Sequence, residues 1–315
     1  MTTIETVRPL RDADPSALPG DPRMATIVLA TDGSADAFAA RLATAALARA
    51  SGACVHVIQT WHESVSAYAG FVPVAPMTEQ LEREAMQSVA DETQALRDAG
   101  VVDATWHVES GRPATMVLDL ADKVDADLIV VGSRGNGAFH RLLLGSVSEA
   151  IVHGARRPVL VMRGGRTTWP PSHVVAAFDG SPEACHAAHI GALLARAAGC
   201  AMSMLRVVPH DAEARMTALD VTFGDALEGV TGQLERHTSR FSKTSNSAVA
   251  GSVSVGDPAA AIVEAVEGPG KGGLAALGSH GSGLGHRLVL GSVSTKVLHA
   301  LHGSVLIVPP PRTAG

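Results

Sequence analysis

The stretch Ile27-Val28-Leu29-Ala30-Thr31-Asp32-Gly33-Ser34 decides the fold of this chain. It opens as a short apolar run rich in β-formers and closes in a turn that also starts a helix. The Ala-rich residues 36–50 that follow favour helix, and Gly52 stops it. The same pattern returns 147 residues later as Val174-Val175-Ala176-Ala177-Phe178-Asp179-Gly180-Ser181. Residues 47–52 return as 194–199, residues 111–114 as 256–259, and residues 140–148 as 286–294. A near-constant offset across whole halves means two copies of one domain, at a period far too long for a solenoid.

Each copy alternates strand and helix. In the first, strands are expected at 26–31, 55–60, 105–109, 128–131 and 159–162, with helices at 36–50, 78–99, 114–123 and 146–155. In the second, strands are expected at 174–178, 202–207, 249–255, 274–277 and 305–308, with helices at 182–198, 223–241, 258–266 and 292–301. Apolar strands between helices predict a parallel sheet covered on both faces. In such sheets ligands bind beyond the carboxyl ends of the strands. The domain limits read as 24–163 and 173–309, with a Gly- and Pro-rich linker at 164–172 and a tail at 310–315. Residues 1–23, with four prolines and three aspartates, read as a disordered extension rather than a signal peptide.

Composition narrows the function. Of 315 residues, 46% are hydrophobic and 18% charged, enough for two packed cores. A net charge of −6 argues against a broad nucleic-acid binder, and 3% aromatics against a single-strand stacking platform. The sequence lacks the roughly 20-residue apolar stretch of a membrane helix. Cys54, Cys185 and Cys200 read as reduced thiols of a cytoplasmic protein.

The chemistry-bearing segment is Gly132-Ser133-Arg134-Gly135, nine residues, then Gly145-Ser146, repeated as Gly278-Ser279-His280-Gly281, nine residues, then Gly291-Ser292. Glycines after a buried strand let backbone amides approach a polyanion. The Gly-Ser that follows opens a helix whose free amides and dipole favour phosphate. Ser146, Ser148, Ser292 and Ser294 can add hydroxyl donors. The plainer alternative makes Ser146 and Ser292 simple N-caps and the glycines mere turns. Asp32 and Asp179 suit a ribose hydroxyl or a metal ion on phosphate, or else they are helix caps. Arg141 and Arg287 in the spacers either neutralise phosphate or form surface salt bridges, and Arg134 and His280 are equally open. Walker A fails, because Gly270-Lys271 has Ala265 where the first glycine belongs. The dinucleotide fingerprint fails on spacing. The pairs His186/His189 and His299/His302 complete no metal shell in sequence, and no nucleophile elbow is present.

Asp-Gly-Ser after the first strand, with Gly-x2-Gly-x9-Gly-Ser-Val-Ser near the end of each copy, resembles the universal stress protein family in its tandem form. The resemblance implies two Rossmann-like α/β domains of the adenine nucleotide alpha hydrolase-like type, each with a five-stranded parallel sheet. It implies pairing of the fifth strands into an internal pseudo-dimer, with homodimers of tandem chains possible beyond it. It implies an ATP site, with Mg²⁺, in each copy. The first would be lined by Asp32, Val55, Val131, Gly132, Arg134, Gly135, Gly145, Ser146, Val147 and Ser148. The second would be lined by Asp179, Met202, Leu277, Gly278, His280, Gly281, Gly291, Ser292, Val293 and Ser294. Val55 would meet adenine, the aspartate the ribose, and the Gly-Ser-Val-Ser segment the phosphates. The function implied is stress-response regulation, occupancy controlling association or binding of a regulatory partner. A slow ATPase or self-phosphorylating enzyme, or a nucleotide-free dimerisation module, are the alternatives. The second copy departs from the pattern at Gly272-Gly273-Leu274-Ala275-Ala276-Leu277, where the first has Ala126-Asp127-Leu128-Ile129-Val130-Val131. The lost Asp and smaller side chains predict a less rigid strand and a weaker second site.

Overall fold

The computed structural model describes residues 24–61, 75–135, 144–163, 169–209, 223–245, 248–269, 272–280 and 290–310. The extension at 1–23, most of the linker, Gly281, Arg141 and Arg287 lie outside them. The chain divides into two compact units between Trp169 and Pro170.

The first unit contains β1 (Thr26–Ala30), α1 (Ala35–Ser51), β2 (Cys54–Trp61), α2 (Ala75–Asp98), β3 (Ala104–Ser110), α3 (Pro113–Lys123), β4 (Leu128–Gly132), α4 (Ser146–Gly154) and β5 (Val159–Met162). Its strands pair in the order β3-β2-β1-β4-β5, every pair parallel. Ile27, Val28, Leu29, Leu128, Ile129 and Val130 are fully buried. Each such side chain contributes about 1.5–3 kcal/mol on burial. Helix α1 packs on β1, β4 and β5, α2 on β2 and β3, and α3 on β1, β2 and α4. The Ala-rich sequence of α1 permits its close approach to the sheet. Ser34 caps α1 by accepting the Ala37 amide, and Gly52 ends it at φ 74. Pro113 starts α3, where its missing N–H costs nothing.

The second unit repeats the plan with β6 (His173–Ala177), α5 (Pro182–Ala198), β7 (Ala201–Val208), α6 (Phe223–Ser245), β8 (Val249–Val255), α7 (Pro258–Glu267), β9 (Leu274–Gly278), α8 (Ser292–Ala300) and β10 (Ser304–Val308). Its parallel order is β8-β7-β6-β9-β10. Element limits differ from the sequence expectation by a few residues, chiefly in α2, which starts at Ala75, and α6, which runs on to Ser245.

In both sheets the chain runs outward from the first strand in one direction and then returns to its other side. That leaves a crevice beyond the carboxyl ends of β1 and β4, and of β6 and β9, the usual place for a ligand in this architecture.

The departures in the second copy have structural substitutes. Asp127 Oδ2 accepts the amides of Ala25 at 2.7 Å and Thr26 at 3.0 Å, tying β1 to β4. Gly273 stands in its place because a Cβ there would lie 2.5 Å from Val266 O and 2.8 Å from His173 Cε1. Instead, Ser172 N–H donates to Gly272 O at 3.0 Å and His173 Nε2 lies 3.3 Å from Ala265 O. The small Ala275 and Ala276 are still fully buried. Helix α5 presents Gly191 there, and a Cβ on it would sit 3.3 Å from Ala276 Cβ. The expected packing deficit on β9 is therefore filled by closer approach of the helix.

Candidate functional site

Asp32 and Asp179 follow the ends of β1 and β6. Neither is the helix cap: Ser34 and Ser181 are. The aspartates shape the turn before it, Asp32 Oδ1 accepting Ser34 N–H at 3.0 Å and Asp179 Oδ1 accepting Ser181 N–H at 2.9 Å. Asp32 Oδ2 lies against Gly135, whose place admits no Cβ without collision with that oxygen. Carboxylate and glycine loop thus face each other across the crevice.

Gly132 and Gly278 serve another purpose. A Cβ on Gly132 would be 2.7 Å from Ala37 N, and one on Gly278 would be 2.9 Å from Glu183 Cβ. These glycines let the amino ends of α1 and α5 press against the strand ends. Val131 and Leu277 are buried just behind them.

The starts of α4 and α8 differ from the capped starts of α1, α5 and α7. Their N-cap residues are Gly145 and Gly291, with no side-chain cap. Gly145 N–H donates to Ser133 O, and Gly291 N–H to Ser279 O, both at 2.7 Å. Those bonds pin the helix start to the glycine loop. The next three amides, of Ser146, Val147 and Ser148 and of Ser292, Val293 and Ser294, belong to the first turn, which has no acceptors within its own helix. The first helical bonds are Glu149 N–H to Gly145 O and Thr295 N–H to Gly291 O.

The serines divide into two roles. Ser146 and Ser292 are exposed first-turn residues rather than N-caps. Ser148 and Ser294 are buried, and their hydroxyls point back into the protein. Ser148 Oγ donates to the carbonyls of Ser133 (2.8 Å) and Gly145 (2.9 Å), and Ser294 Oγ to Gly278 O at 2.7 Å. The expectation that these two hydroxyls serve as donors to a ligand is corrected: they hold the loop.

Val55 and Met202 do not join the rest. Val55 pairs with Ile27 at the amino end of β2, and Met202 with Val174 at the amino end of β7. Both are buried, and the Val55 amide is bonded to Asp103 O at 2.9 Å. The strand between Val55 and the crevice rises about 3.3 Å per residue, so neither can meet a ligand there. On β2 and β7 the residues level with the aspartate turns are Gln59 and Arg206, set there by Thr31 N–H to Ile58 O and Phe178 N–H to Leu205 O. Their signal in the sequence is a long polar residue near the end of the second strand, at the same place in both copies.

Charge is arranged differently in the halves. Buried Asp36 accepts Ser133 Oγ–H at 2.7 Å and Arg134 Nε–H at 3.1 Å. Ser34 Oγ donates to Arg134 O at 3.0 Å. Arg163, 2% exposed, is pulled down to about 10 by burial, with Asp36 opposing and Arg134 adding to the shift. The second half has Glu183, His280 and Pro309 at these places. There, Ser279 Oγ lies 2.9 Å from His280 Nδ1. Burial also lowers Arg206 from the ordinary guanidinium value, and Asp179 opposes it. Burial pushes the Cys54 and Cys185 thiols up to about 11, so neither is a ready nucleophile. Among the described residues no group of three His, Cys, Asp or Glu gathers to hold a metal ion. Nor is any described helix long and apolar enough to cross a membrane.

Each crevice therefore offers open backbone amides at a helix start for an anion and a carboxylate for hydroxyls. Comparison with known proteins agrees with the repeated plan. A family model described as the universal stress protein family matches residues 24–163 and again 171–309. A universal stress protein of Thermus aquaticus is 38% identical over 139 residues, which is 44% of this chain and 98% of that protein. One from Mycobacterium bovis is 28% identical over 233 residues, 72% of this chain and 77% of that protein. The crystal structure of a universal stress protein from Archaeoglobus fulgidus shares the fold, with a TM-score of 0.64 at 20% identity over 91% of this chain and 97% of that one.

Proposed function

Because this chain belongs to the universal stress protein family, we propose that it is a cytoplasmic, ATP-binding regulator of the stress response. Nucleotide occupancy of its two halves controls self-association or the binding of a regulatory protein. The observation that carries this reading is the uncapped first turn of α4 and of α8, each pinned to its glycine loop by a 2.7 Å bond, with Asp32 or Asp179 just beyond the end of the neighbouring strand. The triphosphate lies on the amides of residues 146–148 or 292–294, where a helix start favours anions. The ribose hydroxyls meet the aspartate, and Mg²⁺ neutralises phosphate charge. The domain limits of 24–163 and 173–309 and a homodimer of tandem chains belong to the same reading.

Titration calorimetry of the purified chain with Mg·ATP tests it, with light scattering before and after. Binding at two sites per chain, with a change in association, is the expected result. Absence of heat and of displaceable nucleotide at millimolar ATP would overturn it. A slow self-phosphorylating activity is the second reading, favoured by one feature: Ser146 places an exposed hydroxyl at the anion-facing helix start. A phosphate-mass shift that disappears in Ser146→Ala would establish it.

A further inference from the structure

The two halves hold, at one equivalent place, buried hydrogen-bonding atoms of opposite sense. Gln59 Oε1 and Arg206 Nε are both buried and both lack a hydrogen-bond partner. The ladder places them beside the site. Thr31 N–H donates to Ile58 O at 3.0 Å, so the turn carrying Asp32 runs alongside Gln59. Phe178 N–H donates to Leu205 O at 2.8 Å, which sets Asp179 alongside Arg206. A buried acceptor without a donor is costly, and a buried N–H of a charged group without an acceptor more so. Both costs vanish if a ligand supplies the missing group.

The sheet order says which part of the ligand that is. The helix start that takes the phosphate tail follows β9, on one side of β6, while Arg206 lies on β7, on the other side. A nucleotide spanning the crevice with its tail on α8 presents its nucleoside end to Arg206. Plain ATP has no anion there. The guanidinium is a cation at neutral pH, and Asp179 acts on it in the favourable sense.

Resting on the nucleotide reading above, we propose that the second half selects an adenine nucleotide whose ribose carries a phosphate monoester. Arg206 binds that phosphate with a charge-assisted pair, and Asp179 accepts the remaining ribose hydroxyl. In the first half Gln59 accepts from an unmodified ribose hydroxyl, which fits the uncharged sugar of ATP. The residue change from Gln59 to Arg206 thus separates the ligands of the two copies.

The test is equilibrium binding of AMP, adenosine 2′,5′-bisphosphate and adenosine 3′,5′-bisphosphate to the full chain. One site per chain should prefer at least one bisphosphate over AMP by about tenfold or more, the order of one charge-assisted hydrogen bond. In Arg206→Gln that ratio should fall to within about threefold, and Gln59→Arg should create a second preferring site. If AMP binds but neither bisphosphate is preferred, or the preference survives Arg206→Gln, the inference is overturned and the nucleotide reading stands. If none of the three probes nor ATP binds, both fall. Because Gln59→Arg leaves the second half intact, the inference is testable even if Arg206→Gln does not fold.

Discussion

Ser148 is 2% exposed and gives its hydroxyl to two backbone carbonyls, whereas Ser146, two residues earlier, faces solvent. Ser148→Ala removes the second donor from both carbonyls, each of which keeps one backbone amide, and should cost about 0.5–1.5 kcal/mol. Ser146→Ala should change stability by less than about 0.5 kcal/mol. Urea denaturation of the two variants separates them; equal effects would refute the assignment of roles. The paired histidines of the first half titrate in a defined direction. His56 Nδ1 and His107 Nε2 lie 3.0 Å apart across β2 and β3, with Thr105 Oγ1 3.0 Å from His56. Burial is the main cause that holds both pKa values below 6.5. In the unfolded chain they take up protons first as the pH falls. Their contribution is therefore fully present above about pH 6.5 and is lost as the pH drops through that value toward the folded ones. Glu92, pushed up by burial, works in the opposite sense. The urea midpoint should fall between pH 7.5 and 5.5, and fall less in His107→Gln; an unchanged slope in that variant would contradict the account.

At the scale of elements, α5 and β9 form a matched pair. Gly191 and Ala276 meet where the first copy has Thr44 and Val130. Ala276→Val restores the side chain of the first copy without the helix spacing that goes with it, and should cost about 1–3 kcal/mol through overpacking. Denaturation midpoints check this, and a stabilised variant would show that the strand has spare volume. The same pair shows what a sequence can and cannot disclose. Its apolar runs and constant offset reveal strands, helices and duplication, because periodicity and repetition are properties of the chain order. The small residues of β9 read as a deficit because the compensating glycine lies more than eighty residues away on another element. That Val55 and Met202 stand away from the site is illegible for a related reason: the apolar part of a strand looks alike from both ends, and only its register says which end opens on the crevice. The glycine loop was legible because strand, loop and helix start are contiguous there. Gln59 and Arg206 were missed because their significance depends on a neighbouring strand's turn.

Over the whole molecule, duplication has kept two cradles while changing the charge behind them. Around the site the first half carries Arg134 and Arg163 against Asp32 and Asp36, and the second carries Arg206 against Asp179 and Glu183, one positive charge fewer. The amides offered by α4 and α8 are the same in number, so the difference in affinity for a polyanion comes from that background. One unit of charge acting over a partly hydrated distance of roughly 10 Å is worth a factor of about three to ten. Mg·ATP should therefore bind the first half more tightly by about that factor. Glu at position 145 or 291 sets a carboxylate at the helix start and competes with the phosphate tail for the same amides. Gly291→Glu should leave only the tighter site in calorimetry, and Gly145→Glu only the weaker. Raising the salt should narrow the gap, because the background charges act at about the screening length while the amide contacts do not. Equal affinities in the two variants at low salt, or a tighter second half, would show that the cradle amides alone set the strength of binding.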